Sequence, residues 1–261
     1  MSVVTGASRG IGKEIARGLL QAGHTVVCIS RDPERGEQAR AELAAAGNLE
    51  WIAADLALKG EVRRIAPALR ERGVDLLVNN AGVFMNDRRT TAEGLELTFA
   101  VNQMAPFLLV QELAPARTVN VGSEAHRRAP FELTDLQGER DYSGMRAYAN
   151  SKFAMVLFSR ELARRDRLAV CLHPGVVDTG LLDSYLQDVP WLLRIGAALV
   201  RPLFTSEAKA ARGVLDIALD PELARHNGAY FTGGRTREPD EGARSDATAL
   251  VWWEAVSALS P

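Results

Sequence analysis

The sequence predicts an α/β fold with one doubly wound parallel sheet of about seven strands and helices on both faces. Short apolar runs alternate with helical patterns along most of the chain. These runs are continuously apolar, as expected for strands that are buried on both sides. The chain has 261 residues and shows no repeat, low-complexity segment or linker, so we expect a single domain.

Local signals place each element in chain order. The predicted strands are 3–4, 25–30, 49–53, 74–78, 117–121, 168–172 and a short segment near 230–231. Ile11, Ile15 and Leu19 lie at helical spacing and predict the first helix. Asp32 and Pro33 are typical of an N-cap and a first helical position. The predicted helices after the first are 33–46, 61–72, 93–112, 143–165 and 206–219.

Composition argues against several classes of function. The net charge is −2 and the arginine pairs lie among acids, so we expect no surface for nucleic acid. Cys28 and Cys171 lie in apolar runs, which predicts buried free thiols in a reducing compartment. Two cysteines are too few for a structural zinc site, and we predict no metal. Without a leader or a membrane-spanning run, we expect a cytoplasmic protein.

A glycine-rich turn between the first strand and the first helix predicts an anion site. Gly6 suits a tight turn with positive φ, and Gly10 removes a side chain where a phosphate approaches the backbone. Gly12 lets the helix lie close to its strand. The free N–H groups of the helix's first turn would then face a pyrophosphate. A purely structural glycine turn is the alternative.

In such sheets, ligands bind beyond the carboxyl ends of the strands. The residues at or just after these ends are therefore candidates for ligand contacts. They are Arg31, Asp55, Asn79, Ser123 and Pro174.

Motifs at these positions carry a family resemblance that covers nearly the whole chain. They are the glycine turn 5–12, Asn79-Asn80-Ala81-Gly82, Asn102, Ser123, Tyr148 with Lys152, and Pro174-Gly175. Together they resemble the short-chain dehydrogenase/reductase family. The resemblance implies an NAD(P)-binding Rossmann domain over residues 1–261 with a substrate lid at about 178–206.

Four residues are the predicted catalytic set. Tyr148 and Lys152 are four residues apart on a predicted helix, so they share one face. We expect the ammonium group to lower the tyrosine pKa, and the phenol to donate a proton to a carbonyl oxygen during hydride reduction. Ser123 would hydrogen-bond the same oxygen. The resemblance implies that Lys152 also binds the nicotinamide ribose and that Asn102 supports a proton-relaying water. Without its context, Tyr148 would be read as a half-buried helical tyrosine.

The predicted cofactor contacts combine the glycine turn with the family's pattern. They are Gly6, Ser8, Arg9, Gly10, Ile11, Gly12, Arg31, Asp55, Leu56, Asn80, Ala81, Gly82, Tyr148, Lys152, Pro174, Gly175, Val177 and Thr179. The resemblance implies that Asp55 accepts a hydrogen bond from the adenine amino group. An N-cap of the next helix is the alternative for Asp55. Val177 and Thr179 would hold the nicotinamide carboxamide.

The end of the second strand predicts a preference for NADP(H). Sites for NAD place an acid there for the ribose hydroxyls, whereas a 2′-phosphate favours arginine. Asp32 is accounted for as a helix cap, which leaves Arg31 and Arg9 available for a phosphate. If both are merely solvated surface residues, NAD(H) remains the alternative cofactor.

The resemblance is greatest to the retinol-dehydrogenase-like branch, on the stretches 28–36, 133–137, 173–177 and 218–223. That branch implies lipophilic alcohols and carbonyls, such as retinoids and steroids. The apolar stretch 181–204 suits a lid over such a substrate; packing on the sheet, or a helix at a membrane surface, are alternatives. The resemblance also implies a homodimer or homotetramer through the helices that carry Asn102 and Tyr148.

Three features depart from the family pattern. Gly122 stands where the family has a second serine, and the links 113–117 and 164–167 are short. We also expect no amino-terminal membrane anchor of the kind found in some members of the branch. Two other functions stay open: a non-catalytic dinucleotide-binding sensor or scaffold, and a sugar-nucleotide epimerase or dehydratase.

Overall fold

The computed structural model describes residues 1–177 and 204–261, which form one sheet of eight strands in the order β3-β2-β1-β4-β5-β6-β7-β8. The strands are β1 (Ser2–Thr5), β2 (Val26–Ser30), β3 (Leu49–Ala53), β4 (Leu76–Asn79), β5 (Arg117–Val121), β6 (Leu168–His173), β7 (Tyr230–Thr232) and β8 (Arg235–Arg237). Strands β1 to β7 pair in parallel, which confirms the predicted fold class. The sequence analysis missed β8, which pairs antiparallel with β7, because its three residues are exposed and carry no apolar signal.

Eight described helices surround the sheet. They are α1 (Gly10–Gln21), α2 (Pro33–Leu43), α3 (Lys59–Glu71), α4 (Leu97–Phe99), α5 (Ala105–Leu113), α6 (Gly144–Arg164), α7 (Glu207–Ala218) and α8 (Asp246–Ala258). A π-helical turn, Ala100–Met104, joins α4 to α5, and a 3₁₀ turn, Glu124–Arg128, follows β5.

Side chains from both faces of the sheet are buried in two separate clusters. Val3, Val27 and Leu77 face α3, α5, α6 and α8. The next residues along the same strands, Val4 and Val78 among them, face α1 and α7. This alternation explains why the strands read as continuously apolar runs. Both cysteines are buried and free, as predicted.

The helix predicted to start at residue 93 begins at Leu97. Glu93 accepts hydrogen bonds from the backbone N–H groups of Lys59 (2.6 Å) and Gly60 (3.0 Å), so it caps α3 from a distant segment. Glu96 is the residue that caps α4, through the N–H groups of Thr98 and Phe99. The tertiary contact at Glu93 therefore overrides the local helical pattern.

The last helix, α8, was not predicted and packs against α5 and α6. The Trp252 indole donates to Gln103 Oε1 at 3.0 Å, and the rings of Phe107 and Trp253 lie 4.8 Å apart. Asp246 forms ion pairs with Arg160 and Arg164. The chain beyond residue 231 therefore completes the core on this face of the sheet.

The segment 178–203 lies outside the described residues, and with it nearly all of the predicted lid and Thr179. Of that lid, Phe204, Thr205 and Ser206 are described, and Ser206 caps α7 through the N–H of Lys209. In the described ranges, every helix is too short or too polar to cross a membrane.

Replacing Trp252 with alanine should destabilise the fold by about 3–5 kcal/mol. The indole is fully buried, and its loss leaves a cavity and removes the partner of Gln103. Urea unfolding measures this change in the free energy of unfolding. The matched control is the neighbouring, half-exposed Val251, whose replacement with alanine should cost less than about 1 kcal/mol. Equal losses for the two variants would show that α8 is not docked as described.

Candidate active site

The candidate site lies where the strand order reverses. Strand β1 has β2 on one side and β4 on the other, so the chain crosses the sheet in opposite directions from this point. Ligands of doubly wound sheets bind at such a switch point, beyond the carboxyl ends of the strands. The register pairs Thr5 with Ile29, and Asn79 with Asn120. The segments that follow β1, β2, β4 and β5 therefore meet at one edge.

The glycine turn has the predicted geometry. Gly6 and Gly10 have φ of +68° and +62°, a region that favours glycine. A Cβ built on Gly12 would lie 2.4 Å from the carbonyl oxygen of Gly6 and 2.5 Å from Asn80 Nδ2. Helix α1 can approach β1 this closely only because Gly12 has no side chain.

The segment after β4 is tied to the glycine turn by Thr5. Its hydroxyl oxygen accepts from the N–H groups of Asn80 and Ala81, both at 3.0 Å, and Asn80 Nδ2 donates to the Thr5 carbonyl at 2.9 Å. Asn79 donates to Asn120 on β5 at 2.8 Å. A Cβ on Gly6 would lie 2.9 Å from Ala81 Cα. These contacts hold the turn and the segment together as one wall of the crevice.

The site has features that fit a dinucleotide. The N-terminus of α1 has no side-chain cap, so its first N–H groups are free for an anion. Ser30 Oγ, at the end of β2, is buried without a hydrogen-bond partner among the described residues. Arg9 and Arg31 are exposed, and neither has an ion-pair partner in the described part of the chain. Ser8 and Ile11 are partly buried in the same glycine turn as Arg9.

The structure shows which of the two aspartates after β2 and β3 caps the helix that follows it. Asp32 caps α2 by accepting from the N–H of Arg35 at 3.1 Å, as predicted. Asp55 does not cap α3, because the N-cap is Leu58 and Asp55 accepts instead from the N–H of Ala57 at 3.0 Å. The N-cap alternative for Asp55 is therefore wrong, and its adenine contact stays a prediction. Leu56 is buried beside it.

Asn102 lies in the π-helical turn and is almost fully buried. Its side chain accepts from the N–H of Val83 at 2.8 Å and donates to the Val83 carbonyl at 3.0 Å. It also donates to Ser151 Oγ on α6 at 3.0 Å. π-helical turns of this kind often occur at functional sites. Asn102 thus joins the segment after β4 to the helix that carries Tyr148.

Lys152 is buried and points at the end of β5. Its Nζ donates to the Val121 carbonyl at 2.9 Å, and it lies 5.6 Å from the centre of the Tyr148 ring. A Cβ on Gly82 would lie 3.6 Å from both Lys152 Nζ and Asn102 Oδ1, so this exposed glycine borders both groups. Burial lowers the pKa of Lys152 to about 8.

Burial raises the pKa of Tyr148 to about 12, and the polar side chain of Ser123 opposes the rise. The expected lowering of the Tyr148 pKa by Lys152 is therefore not seen, because burial of the phenol is the largest influence on that pKa. At neutral pH the phenol is protonated. Ser123 Oγ also accepts from the N–H of Ala125 at 3.2 Å, which fixes its orientation.

The segment after β6 forms the opposite wall of the crevice. Pro174 is partly buried, and Gly175 has φ of +103°. The Val176 carbonyl accepts from the N–H of Thr205 at 2.8 Å, and Val177 forms a bridge with the same residue. These contacts join this wall to the start of α7.

Glu207, which the sequence analysis missed, borders the glycine turn. It lies in the first turn of α7. A Cβ on Gly10 would lie 3.4 Å from Glu207 Oε1. No motif marks this residue, because only tertiary packing brings α7 to α1.

The structure explains why Gly122 replaces the family's second serine. A Cβ at position 122 would lie 2.6 Å from the Sγ of Cys171 on β6. Cys171 is fully buried, and burial raises the pKa of its thiol to about 12. The Cys171 thiol therefore occupies the space that a side chain at position 122, next to Ser123, would need.

Gly122→Ser should destabilise the protein by roughly 1–3 kcal/mol, because the added side chain overlaps the Cys171 thiol. In a Cys171→Ala background the same substitution should cost clearly less. Urea unfolding of the two single variants and the double variant measures the coupling between the sites. Strictly additive effects would show that the two residues do not share this space.

Comparisons with known proteins agree with this architecture. The family model described as short chain dehydrogenase matches residues 1–190. Retinol dehydrogenase 12 of Mus musculus is 36% identical over 268 residues, covering 96% of this chain and 83% of the mouse protein. Dehydrogenase/reductase SDR family member 13 of Bos taurus is 38% identical over 283 residues, covering 99% and 72%.

Solved structures show the same fold. An uncharacterised protein from Mycobacterium paratuberculosis aligns with a TM-score of 0.79 at 27% identity, covering 99% of this chain and 92% of that one. A short chain dehydrogenase from Burkholderia cenocepacia in complex with NADP aligns with a TM-score of 0.68 at 28% identity, covering 94% and 97%. The chain therefore belongs to the short-chain dehydrogenase/reductase family, and it is similar to members of the retinol-dehydrogenase-like branch.

Proposed function

We propose that this oxidoreductase interconverts a lipophilic alcohol and its carbonyl compound with NADP(H). The observation that carries the proposal is the buried ammonium group of Lys152, which lies 5.6 Å from the Tyr148 ring and is bound to the end of β5, the strand that leads to Ser123. A dinucleotide-binding sensor or scaffold would not need this arrangement. We also propose that residues 1–261 act as one NAD(P)-binding domain whose lid covers about 178–206.

Each predicted catalytic residue has a defined task in this proposal. Tyr148 is protonated at neutral pH, so it can donate its proton to the carbonyl oxygen of the substrate. Ser123 holds the same oxygen with a hydrogen bond. Lys152, with its low pKa, stabilises negative charge that develops on the phenol oxygen and binds the nicotinamide ribose. Asn102 holds the helix of Tyr148 against the Val83 backbone and supports the relay water.

The residues proposed to bind the cofactor are those whose positions fit a dinucleotide at the carboxyl edge of the sheet. The first turn of α1, with Gly10 and the exposed Arg9, would hold the pyrophosphate, and Arg31 the 2′-phosphate. The segments that include Asn80 and Val177 would line the adenosine and nicotinamide ends. The bound dinucleotide supplies the hydride for reduction or accepts it in oxidation. The NADP complex of the Burkholderia enzyme supports this choice of cofactor.

The relatives support an apolar substrate. Retinol dehydrogenase 12 is named for a lipophilic alcohol, and the sequence 181–204 is rich in leucine, valine and tryptophan. The buried free thiols support a reducing compartment, which we propose to be the cytoplasm.

We also propose a homodimer or homotetramer. The helices that we expected to meet a second subunit contact α8 of the same chain, through Phe107 of α5 and Phe158 of α6 against Trp252. A subunit interface through these helices would therefore also involve α8.

Tyr148→Phe should lower kcat by roughly 10²–10⁴-fold, because it removes the proton donor. NADPH affinity, measured by fluorescence titration, should stay unchanged. The assay follows NADPH absorbance with a panel of ketones, aldehydes and alcohols that includes retinal and steroids. Tyr142→Phe is the control, since the Tyr142 hydroxyl bonds Met85 and Glu96 outside the catalytic set. Unchanged turnover in Tyr148→Phe would contradict the proposed mechanism, and no turnover in the unsubstituted enzyme would favour the sensor.

Arg31→Ser should lower kcat/KM for NADPH by about tenfold or more and leave kcat/KM for NADH nearly unchanged. A charge-assisted hydrogen bond to a phosphate is worth about 1.5–3 kcal/mol, and about 1.4 kcal/mol equals a factor of ten. Arg40→Ser is the control, because this arginine is exposed on α2 and pairs with Glu37. A higher kcat/KM with NADH in the unsubstituted enzyme would overturn the cofactor preference.

A further inference from the structure

A buried histidine lies directly behind the catalytic serine. His126 belongs to the 3₁₀ turn that follows β5, and its side chain is fully buried. Its Nδ1 lies 2.7 Å from the carbonyl oxygen of Ser123. Its Nε2 lies 3.2 Å from the backbone nitrogen of Asp240, in the segment that precedes α8. The imidazole therefore bridges the active site and the carboxyl-terminal part of the chain.

The two partners of His126 define its protonation state. The Ser123 carbonyl can only accept a hydrogen bond, so Nδ1 must carry the proton. The N–H of Asp240 can only donate, so Nε2 must offer its lone pair. The geometry thus requires the neutral tautomer with the proton on Nδ1. Burial also lowers the pKa of His126, which agrees with a neutral ring.

A second contact network keeps the imidazole in place. The ring packs edge-on against Tyr230 of β7, with the ring centres 4.7 Å apart. The Tyr230 hydroxyl donates to Glu124 Oε1 at 2.8 Å, and Glu124 also pairs with Arg127. Glu124 follows Ser123 directly in the chain. This network and His126 therefore both hold the backbone between Ser123 and Glu124.

We propose that His126 is a positioning residue for the reaction. By donating to the Ser123 carbonyl, it fixes the peptide group on one side of the serine and so directs the hydroxyl towards Tyr148. It does not touch the substrate or the cofactor itself. The inference rests on the proposed function, because it assigns to His126 an effect on that reaction through Ser123.

Two substitutions can separate the two hydrogen bonds. In His126→Asn, the side-chain amide nitrogen takes the place of Nδ1 and keeps the bond to Ser123, while the Asp240 bond is lost. In His126→Gln, the longer side chain places its oxygen near Nε2 and keeps the Asp240 bond, while the Ser123 bond is lost. Each variant loses one hydrogen bond, so a purely structural role predicts similar behaviour for both.

If His126 acts through Ser123, His126→Gln should lower kcat by roughly 10- to 100-fold, as expected for a misplaced catalytic group. His126→Asn should stay within about threefold of the unsubstituted enzyme. Both variants should keep their NADPH affinity and the KM for substrate. In a Ser123→Ala background, His126→Gln should have no further effect on kcat, because the group that it positions is gone. His24→Gln is the control, since His24 contacts Ser2 at the opposite end of β1.

Equal kcat values for the Asn and Gln variants would overturn the inference, as would an additive loss in the Ser123→Ala background. If the Gln variant does not fold, the Asn variant decides, since a loss of kcat as large as that of Ser123→Ala contradicts the proposal. Turnover is measured first in the unsubstituted enzyme. Its absence counts against the proposed function, whereas active enzyme with no difference between the variants counts only against the role of His126.

Discussion

The shape of the crevice depends on the close approach between the glycine turn and the segment after β4. The Thr5 hydroxyl oxygen accepts two backbone hydrogen bonds from that segment, and the Thr5 carbonyl accepts a third from the Asn80 side chain. This close approach leaves no room for a Cβ at Gly6 or Gly12. The N-terminal end of α1, which is the proposed anion site, is therefore held at a constant position relative to β4 and β5.

Burial is the largest influence on the pKa values of Tyr148 and Lys152, the two titratable groups of the proposed catalytic set. A simple view, in which an ammonium group lowers the pKa of a nearby phenol, predicts an acidic tyrosine. Burial acts on both groups in opposite directions, raising the pKa of Tyr148 to about 12 and lowering that of Lys152 to about 8. The result at neutral pH is a protonated phenol beside an ammonium group whose pKa is lowered to about 8. This state suits donation of a proton, which is the step required in the reduction of a carbonyl.

The carboxyl-terminal part of the chain belongs to the site although it carries none of the motifs. Helix α8 packs on Phe107 of α5 and Phe158 of α6 through Trp252 and Trp253. The segment before α8 reaches His126, which in turn contacts Ser123. His126 thus links the carboxyl-terminal part of the chain to the proposed catalytic serine through two hydrogen bonds. The packing of that part of the chain is therefore connected to the orientation of Ser123.

The sequence alone determined the α/β class, the approximate positions of β1 to β7, the family and the residues expected at the carboxyl edge of the sheet. These follow from local patterns, because apolar runs, caps and the spacing of Tyr148 and Lys152 involve neighbouring residues. Only the tertiary structure decided that Glu93 caps α3, that Glu207 borders Gly10, and that Cys171 excludes a side chain at position 122. It also decided the pKa directions and the role open to His126. Such features arise from contacts between residues that are far apart in the chain, and no local pattern records them.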